Sequence, residues 1–306
     1  LIIYLLSKRD LGKAKVYAFS PYVIAITSLW GNVDAFIGLA LLASYLLFER
    51  SKLASGFMYG LSLMKFYTIV CAGAYLAQLY KKPRQLASFI AGASIPQLPM
   101  LYYLYIDSKS FLHAVFFQAS RPVNGVNIYY SMIEVRGLAQ AMALTKVILA
   151  VLLATTIAVT LIHAKRKTSL NDFITALMLN YVVFAPVCNE QLLAAIIPIG
   201  LTSRHFSHKL AIFPLAYIAF NATYHYFAIP IFYLNPQLKA LWNALDEAWG
   251  ALVKDFQLQV RYLLGVGMGL SAFWLLKSSL ETRGVEVRLK ATVSSKPSTA
   301  LRKPLR

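Results

Sequence analysis

The sequence is short of charge, and of negative charge above all. Only 14% of its 306 residues are Asp, Glu, Lys or Arg, and no more than 12 of them are acidic. A soluble domain carries about 25% charged and roughly 45–50% apolar residues. Here 58% are hydrophobic and the mean hydropathy is +0.59. That leaves too little polar surface to solvate a globule, whereas a bilayer needs no such coat. Cysteine is scarce as well. Cys71 and Cys188 both lie in or beside apolar runs, so no disulfide framework is implied. A phosphate-cradling glycine loop, a zinc signature and a Ser/His/Asp arrangement are all missing. His205 and His208 stand three apart, but no carboxylate or cysteine joins them to make a metal site. The first apolar stretch, Leu1 to Leu6, runs into Ser7-Lys8-Arg9-Asp10, the reverse of a signal peptide's order. It reads as the last turns of a helix that begins before Leu1.

What is present is basic. Thirty Lys and Arg give a net charge of +18, which on its own would suggest nucleic acid. Their distribution excludes that partner, because they fall in short bursts between apolar runs rather than along aromatic-studded faces. The bursts are Lys8/Arg9/Lys13/Lys15, Arg50/Lys52, Lys81/Lys82/Arg84, Lys165/Arg166/Lys167, Arg204/Lys209 and the tail from Lys277. Placing them all in the cytoplasm makes every intervening segment leave and return. The expectation is an all-α, polytopic transmembrane helical bundle over residues 1–280, with a basic, disordered cytoplasmic tail over 281–306. Its partner is the lipid bilayer of a cell membrane, and the short external loops favour a prokaryotic one.

Some excursions are too short to cross twice, since two spans need about 40 residues. Val16 to Phe48 and Leu53 to Tyr80 therefore read as hairpins of short helices. Their tips fall near Trp30-Gly31-Asn32-Val33-Asp34 and Lys65-Phe66-Tyr67. Leu192 to Thr202 reads as a short return after the span Phe173–Val187. Full spans are expected at 85–105, 137–163, 210–233 and 262–276, with Pro236 to Leu258 an amphipathic helix in the outer interface. Short helices are tolerated where protein or a water-filled cavity covers their ends, so a cavity opening to the outer face is expected.

Polar groups in apolar surroundings are the candidates for chemistry. Asn32 or Asp34 could cap the helix running to Phe48, or Asp34 could face the cavity and bind an acceptor hydroxyl or a divalent cation. Lys65 lies roughly 20 Å from the basic bursts on either side. It either snorkels outward or neutralises a phosphate. Asn189-Glu190-Gln191 is either a plain polar turn or a set of hydrogen-bonding groups suited to a sugar. Arg121, in Arg121-Pro122-Val123-Asn124-Gly125, is a solvated loop residue or a grip for phosphate. Lys146 lies deep in its span and calls for a buried partner.

Taken together, Ser20-Pro21-Tyr22, Trp30-Gly31-Asn32-Val33-Asp34 and Tyr59-Gly60-Leu61-Ser62-Leu63-Met64-Lys65-Phe66-Tyr67 resemble the polytopic GT-C glycosyltransferases. The resemblance is nearest to the group containing the GPI mannosyltransferase I catalytic subunit and related prokaryotic mannosyltransferases. Asn189-Glu190-Gln191-Leu192-Leu193, with Pro198, looks like the same group's glutamine before a proline-broken helix. The likeness spans about residues 16–202. It implies inverting transfer of a sugar, often mannose, from a polyprenyl-phosphate donor to a glycan or glycolipid acceptor. Lys65 and Arg121 would then meet the phosphate, Asn32 and Asp34 the acceptor or sugar, and Glu190 and Gln191 sugar hydroxyls. No cofactor is required beyond the divalent cation left open at Asp34. One departure stands out. The family's key aspartate follows the first transmembrane helix, so the general base is expected before Leu1. A transporter or flippase for a lipid-linked or small polar substrate is the alternative, and a non-catalytic subunit a third reading.

Overall fold

Turn chemistry sets the helix boundaries in the computed structural model, which describes residues 1–29, 33–113, 124–129, 138–221 and 236–281. Asp10 caps α2 (Leu11–Ala18) by accepting from the Lys13 amide, after the short α1 (Ile2–Ser7). Ser20 caps α3 (Pro21–Ile24), with the proline in the first turn where its missing N–H costs nothing. A five-residue π-helical stretch, Ala25–Leu29, continues it. Beyond the first tip runs α4 (Asp34–Leu47), and Ser51 caps the returning α5 (Lys52–Ser62). The second tip passes through a 3-10 stretch, Phe66–Cys71, into α6 (Ala72–Leu79). Both hairpins are thus made of short helices, as their lengths require.

The expected span 85–105 is a broken helix. Pro96 and Pro99 impose a 3-10 turn at Ile95–Gln97 between α7 (Pro83–Ser94) and α8 (Leu98–Ile106). Next come α9 (Leu138–Arg166), α10 (Leu170–Phe184), α11 (Leu192–Gly200) and α12 (Ile212–Asn221). The last, α13, runs unbroken from Pro236 to Glu281. It corrects the reading of 236–258 as a separate interface helix. Gln257-Leu258-Gln259-Val260-Arg261 contains no glycine or proline, so nothing at the junction ends the helix. Its 46 residues reach roughly 70 Å, more than twice a hydrocarbon core of about 30 Å. The tail after Glu281 lies outside the described residues.

The described chain is almost wholly helical, with a single two-residue parallel pairing of β1 (Asn124–Gly125) with β2 (Val187–Cys188). Two helical stretches, Ala143–Arg166 and Gln259–Glu281, are long and apolar enough to cross a membrane. Only 22% and 33% of their most apolar 18-residue windows is buried. The apolar side chains Val147, Leu153, Ile157, Leu161, Leu263, Leu270 and Trp274 all face outward. The opposite holds for α11, every residue of which is buried, and for most of α10. These two form the centre. Backbones approach closely where small residues allow it. A Cβ at Gly56 or Gly60 would meet the Phe89 or Ala93 carbonyl oxygen at 2.0 or 2.3 Å, so α5 lies directly on α7. Gly38 likewise seats α4 against Ala194 and Pro198 of α11.

Contacts between turns give the molecule two unlike ends. Gln78 donates to the Thr168 carbonyl at 3.2 Å, Asn171 to that of Thr202, and Arg9 to the Tyr45 hydroxyl at 2.9 Å. The internal basic bursts therefore gather at one end of the helices. The two tips, the 124–129 segment and the 187–190 turn lie at the other. Lys146 departs from expectation. It is exposed on α9 and makes no ion pair among the described residues. Standing about two turns into its helix, it reaches outward along the surface rather than needing a buried partner.

Candidate functional site

Asp34 is the first residue of α4, where the helix dipole favours a negative charge. It does not cap the helix, since Val33 holds that position without a side-chain bond. Its side chain is 2% exposed, so its oxygens must find partners inside the protein. Lys65 Nζ donates to Oδ2 at 3.0 Å, and the Tyr67 hydroxyl donates to Oδ1. The two hairpin tips are locked together by that pair of bonds. Lys65 follows the end of α5 in extended backbone and leads into the 3-10 stretch, which turns its side chain back towards α4. The Lys65 side chain is 32% exposed, whereas that of Asp34 is only 2% exposed. A cation bound at Asp34 would have to displace a lysine and a tyrosine proton. Among the described residues no three His, Cys, Asp or Glu side chains converge on a common point.

The turn after α10 forms the next wall. Tyr22, buried on α3, donates to the Glu190 carbonyl at 2.6 Å and accepts from the Ala194 amide at 3.1 Å. It thereby ties the first hairpin to the start of α11. Glu190 is close enough to Asp34 and Arg261 to feel both charges. Burial pushes its carboxyl above the usual range. Its own backbone amide and the Arg261 guanidinium oppose that rise, and Asp34 adds to it. Gln191, the residue before α11, is half-buried, and its side chain makes no hydrogen bond among the described residues. Tyr181 packs against Tyr67 with ring centroids 5.8 Å apart and closes the inner side.

The 124–129 segment completes the arrangement. Gly125 has φ +93°, and a Cβ there would lie 2.0 Å from the Cys188 carbonyl oxygen, so only glycine fits. Val126 N donates to Cys188 O at 2.8 Å, and Asn127 Nδ2 to Pro186 O at 2.8 Å. From α13, Arg261 Nε donates to Gly125 O at 3.0 Å while its guanidinium lies over the Tyr217 ring. The close fit of Gly265 beneath Asn127 lets the segment sit directly on α13.

Of the residues singled out from the sequence, the fold brings Asp34 and Lys65 into contact and sets Glu190 beside them, with Gln191 next in chain. Asn32 and Arg121 lie outside the described residues. Three contributors were not singled out as site residues. Tyr67 and Tyr22 sat inside the motif runs that carry the resemblance, and their place there was the available signal. Arg261 lies outside the basic bursts, between the expected interface helix and the expected span, and nothing in the sequence names what it would touch. Chemically, the cluster offers an ammonium on a partly exposed side chain, a guanidinium and a buried carboxylate held by donors. Around them lie amide and phenol groups suited to a hydroxyl-rich, anionic ligand. No protein-family model, curated protein or solved structure matches the chain.

Proposed function

We propose that this chain is a multi-pass membrane glycosyltransferase of the GT-C kind, working at the end of the bundle away from its basic bursts. It transfers a sugar, mannose by the resemblance, from a polyprenyl-phosphate donor to a glycan or glycolipid acceptor. The single observation that carries the reading is a partly exposed Lys65 side chain whose ammonium is held 3.0 Å from a buried Asp34. Leaving a charged pair at the tips of two short hairpins is costly unless the pair has a task.

In an inverting transfer the acceptor oxygen bonds to the anomeric carbon as the bond to the lipid phosphate breaks. The phosphate leaves with the electron pair, and the hydroxyl proton passes to a base. Cations aimed at the departing phosphate stabilise the charge it gains. Lys65 and Arg261 fill that role, and the expectation for Arg121 adds a third. Asp34 keeps Lys65 folded towards the cavity and lines the acceptor side, where Asn32 is also expected. Glu190 and Gln191 meet sugar hydroxyls. None of these residues is assigned as that base.

The test is transfer from radiolabelled polyprenyl-phosphate mannose by membranes of cells expressing the protein. Labelled product that disappears with Lys65→Ala supports the proposal. Absence of product with several donors and acceptors, from protein that is folded and inserted, would sink it, and substrate uptake would become the next assay.

A further inference from the structure

A cavity of about 830 Å³ lies between α2 and α3 on one side and α12 and the last third of α13 on the other. Its size falls within the roughly 300–1,000 Å³ of small-molecule sites. None of Asp34, Lys65, Tyr67 or Glu190 lines it. Its rim sits instead near the basic end, since Lys209 belongs to a basic burst and Trp274 stands three residues before Lys277.

The walls are mostly apolar, with Phe19, Phe213 and Trp274 prominent. Two of these are open to the surroundings, Phe19 being 77% and Trp274 71% exposed. Polar groups come from Ser20, Tyr22, Ser207, His208, Lys209 and Ser271, and among the described residues no acidic one takes part. Lys209 is exposed, and its side chain makes no hydrogen bond or ion pair among the described residues. Lys209 is thus a cation available at the edge of an otherwise apolar cleft. A free phosphate would need no aromatic walls, and a neutral apolar ligand no cations. A phospholipid at a bilayer boundary uses both.

We propose that this cleft binds an anionic glycerophospholipid of the leaflet facing the basic end. Its phosphate lies by Lys209 and His208, and an acyl chain lies along Phe19, Phe213 and Trp274. The site rests on the membrane reading above but not on the transfer chemistry.

Trp274 is a built-in reporter. The whole protein in nanodiscs is titrated with brominated phosphatidylglycerol or brominated phosphatidylcholine. The Trp274 signal is the difference between wild-type and Trp274→Phe fluorescence. Quenching by the anionic lipid at about fivefold lower mole fraction is expected, the size one lysine contributes at such a surface. Lys209→Gln should abolish the preference and Lys209→Arg retain it. Equal quenching by both lipids overturns the proposal, as does a preference that survives Lys209→Gln. So does a Trp274 that neither lipid reaches, the sign of protein covering the cleft. Release of the chain from membranes by alkaline carbonate would instead defeat the membrane reading itself.

Discussion

Asp34 and Asp172 stand at opposite ends of the helices, and the way each is satisfied separates a ligand site from a structural one. Asp172, in the first turn of α10, accepts from the hydroxyl of Ser169, from Ser203 Oγ at 2.7 Å and from the Arg204 amide at 3.0 Å. Its partners are neutral donors from two turns, and together they pin the loop after α11 to the start of α10. Asp34 is bound by a lysine and a tyrosine from a different hairpin, and that lysine is partly open to the surroundings. Neutral donors suffice to anchor a turn. A cation that a carboxylate restrains but does not bury is poised for an anion from outside.

The largest expected effect bears on that difference. Lys65→Gln should lower transfer by about 100-fold or more, the scale of losing one group that stabilises developing charge. Asp172→Ala should leave transfer per folded molecule unchanged, so a comparable loss there would erase the distinction between the ends. Gly125→Ala comes next. The substitution forces a side chain into positive φ against a carbonyl oxygen, for about 3 kcal/mol lost from thermal stability in detergent. If it is tolerated, the 124–129 segment does not hold the Asp34 end together. Asp172→Ala itself should cost about 1–2 kcal/mol through donors left unpaired.

Glu190→Gln gives the smallest change and sharpens the electrostatics of the Asp34 end. The Glu190 carboxyl is raised by burial first, with Asp34 adding to the rise against Arg261. A folded-state value above the unfolded one of about 4.3 means that the native protein holds this proton more tightly. The stability it contributes is full below that value and is lost as pH rises through the raised one. Wild type and variant should melt together in acid. The glutamine variant should melt higher near neutral pH, whereas parallel curves would mean the carboxyl is not perturbed.

Much of this was legible in the sequence, for definite reasons. The basic bursts set the turning points, and helix rise placed Lys65 far from them, so its isolation could be computed without a structure. Asp34 stood out as an acid at a tip too short to span. What each would touch could not be read, because helical spacing assigns a face and not a neighbour. The capping role considered for Asp34 gave way to a tertiary pair for that reason. Local pattern also split α13 in two, since the change from mixed to apolar composition near Arg261 looks like a boundary although no breaker stands there. Lys146 misled in the opposite direction, because depth along a helix says nothing of whether the side chain faces protein or points outward.

Whether the Asp34–Lys65 pair exists for a ligand is read by a double-mutant cycle. Removing Lys65 alone leaves a buried carboxylate without its cation, for about 3 kcal/mol of stability, and Asp34→Asn alone should cost less. Melting temperature and sugar transfer would be measured on wild type, Lys65→Gln, Asp34→Asn and the double variant. The double variant should recover a melting temperature near that of wild type yet still fail to transfer sugar. Recovery of both together would contradict it, showing a pair that only holds two hairpins in place.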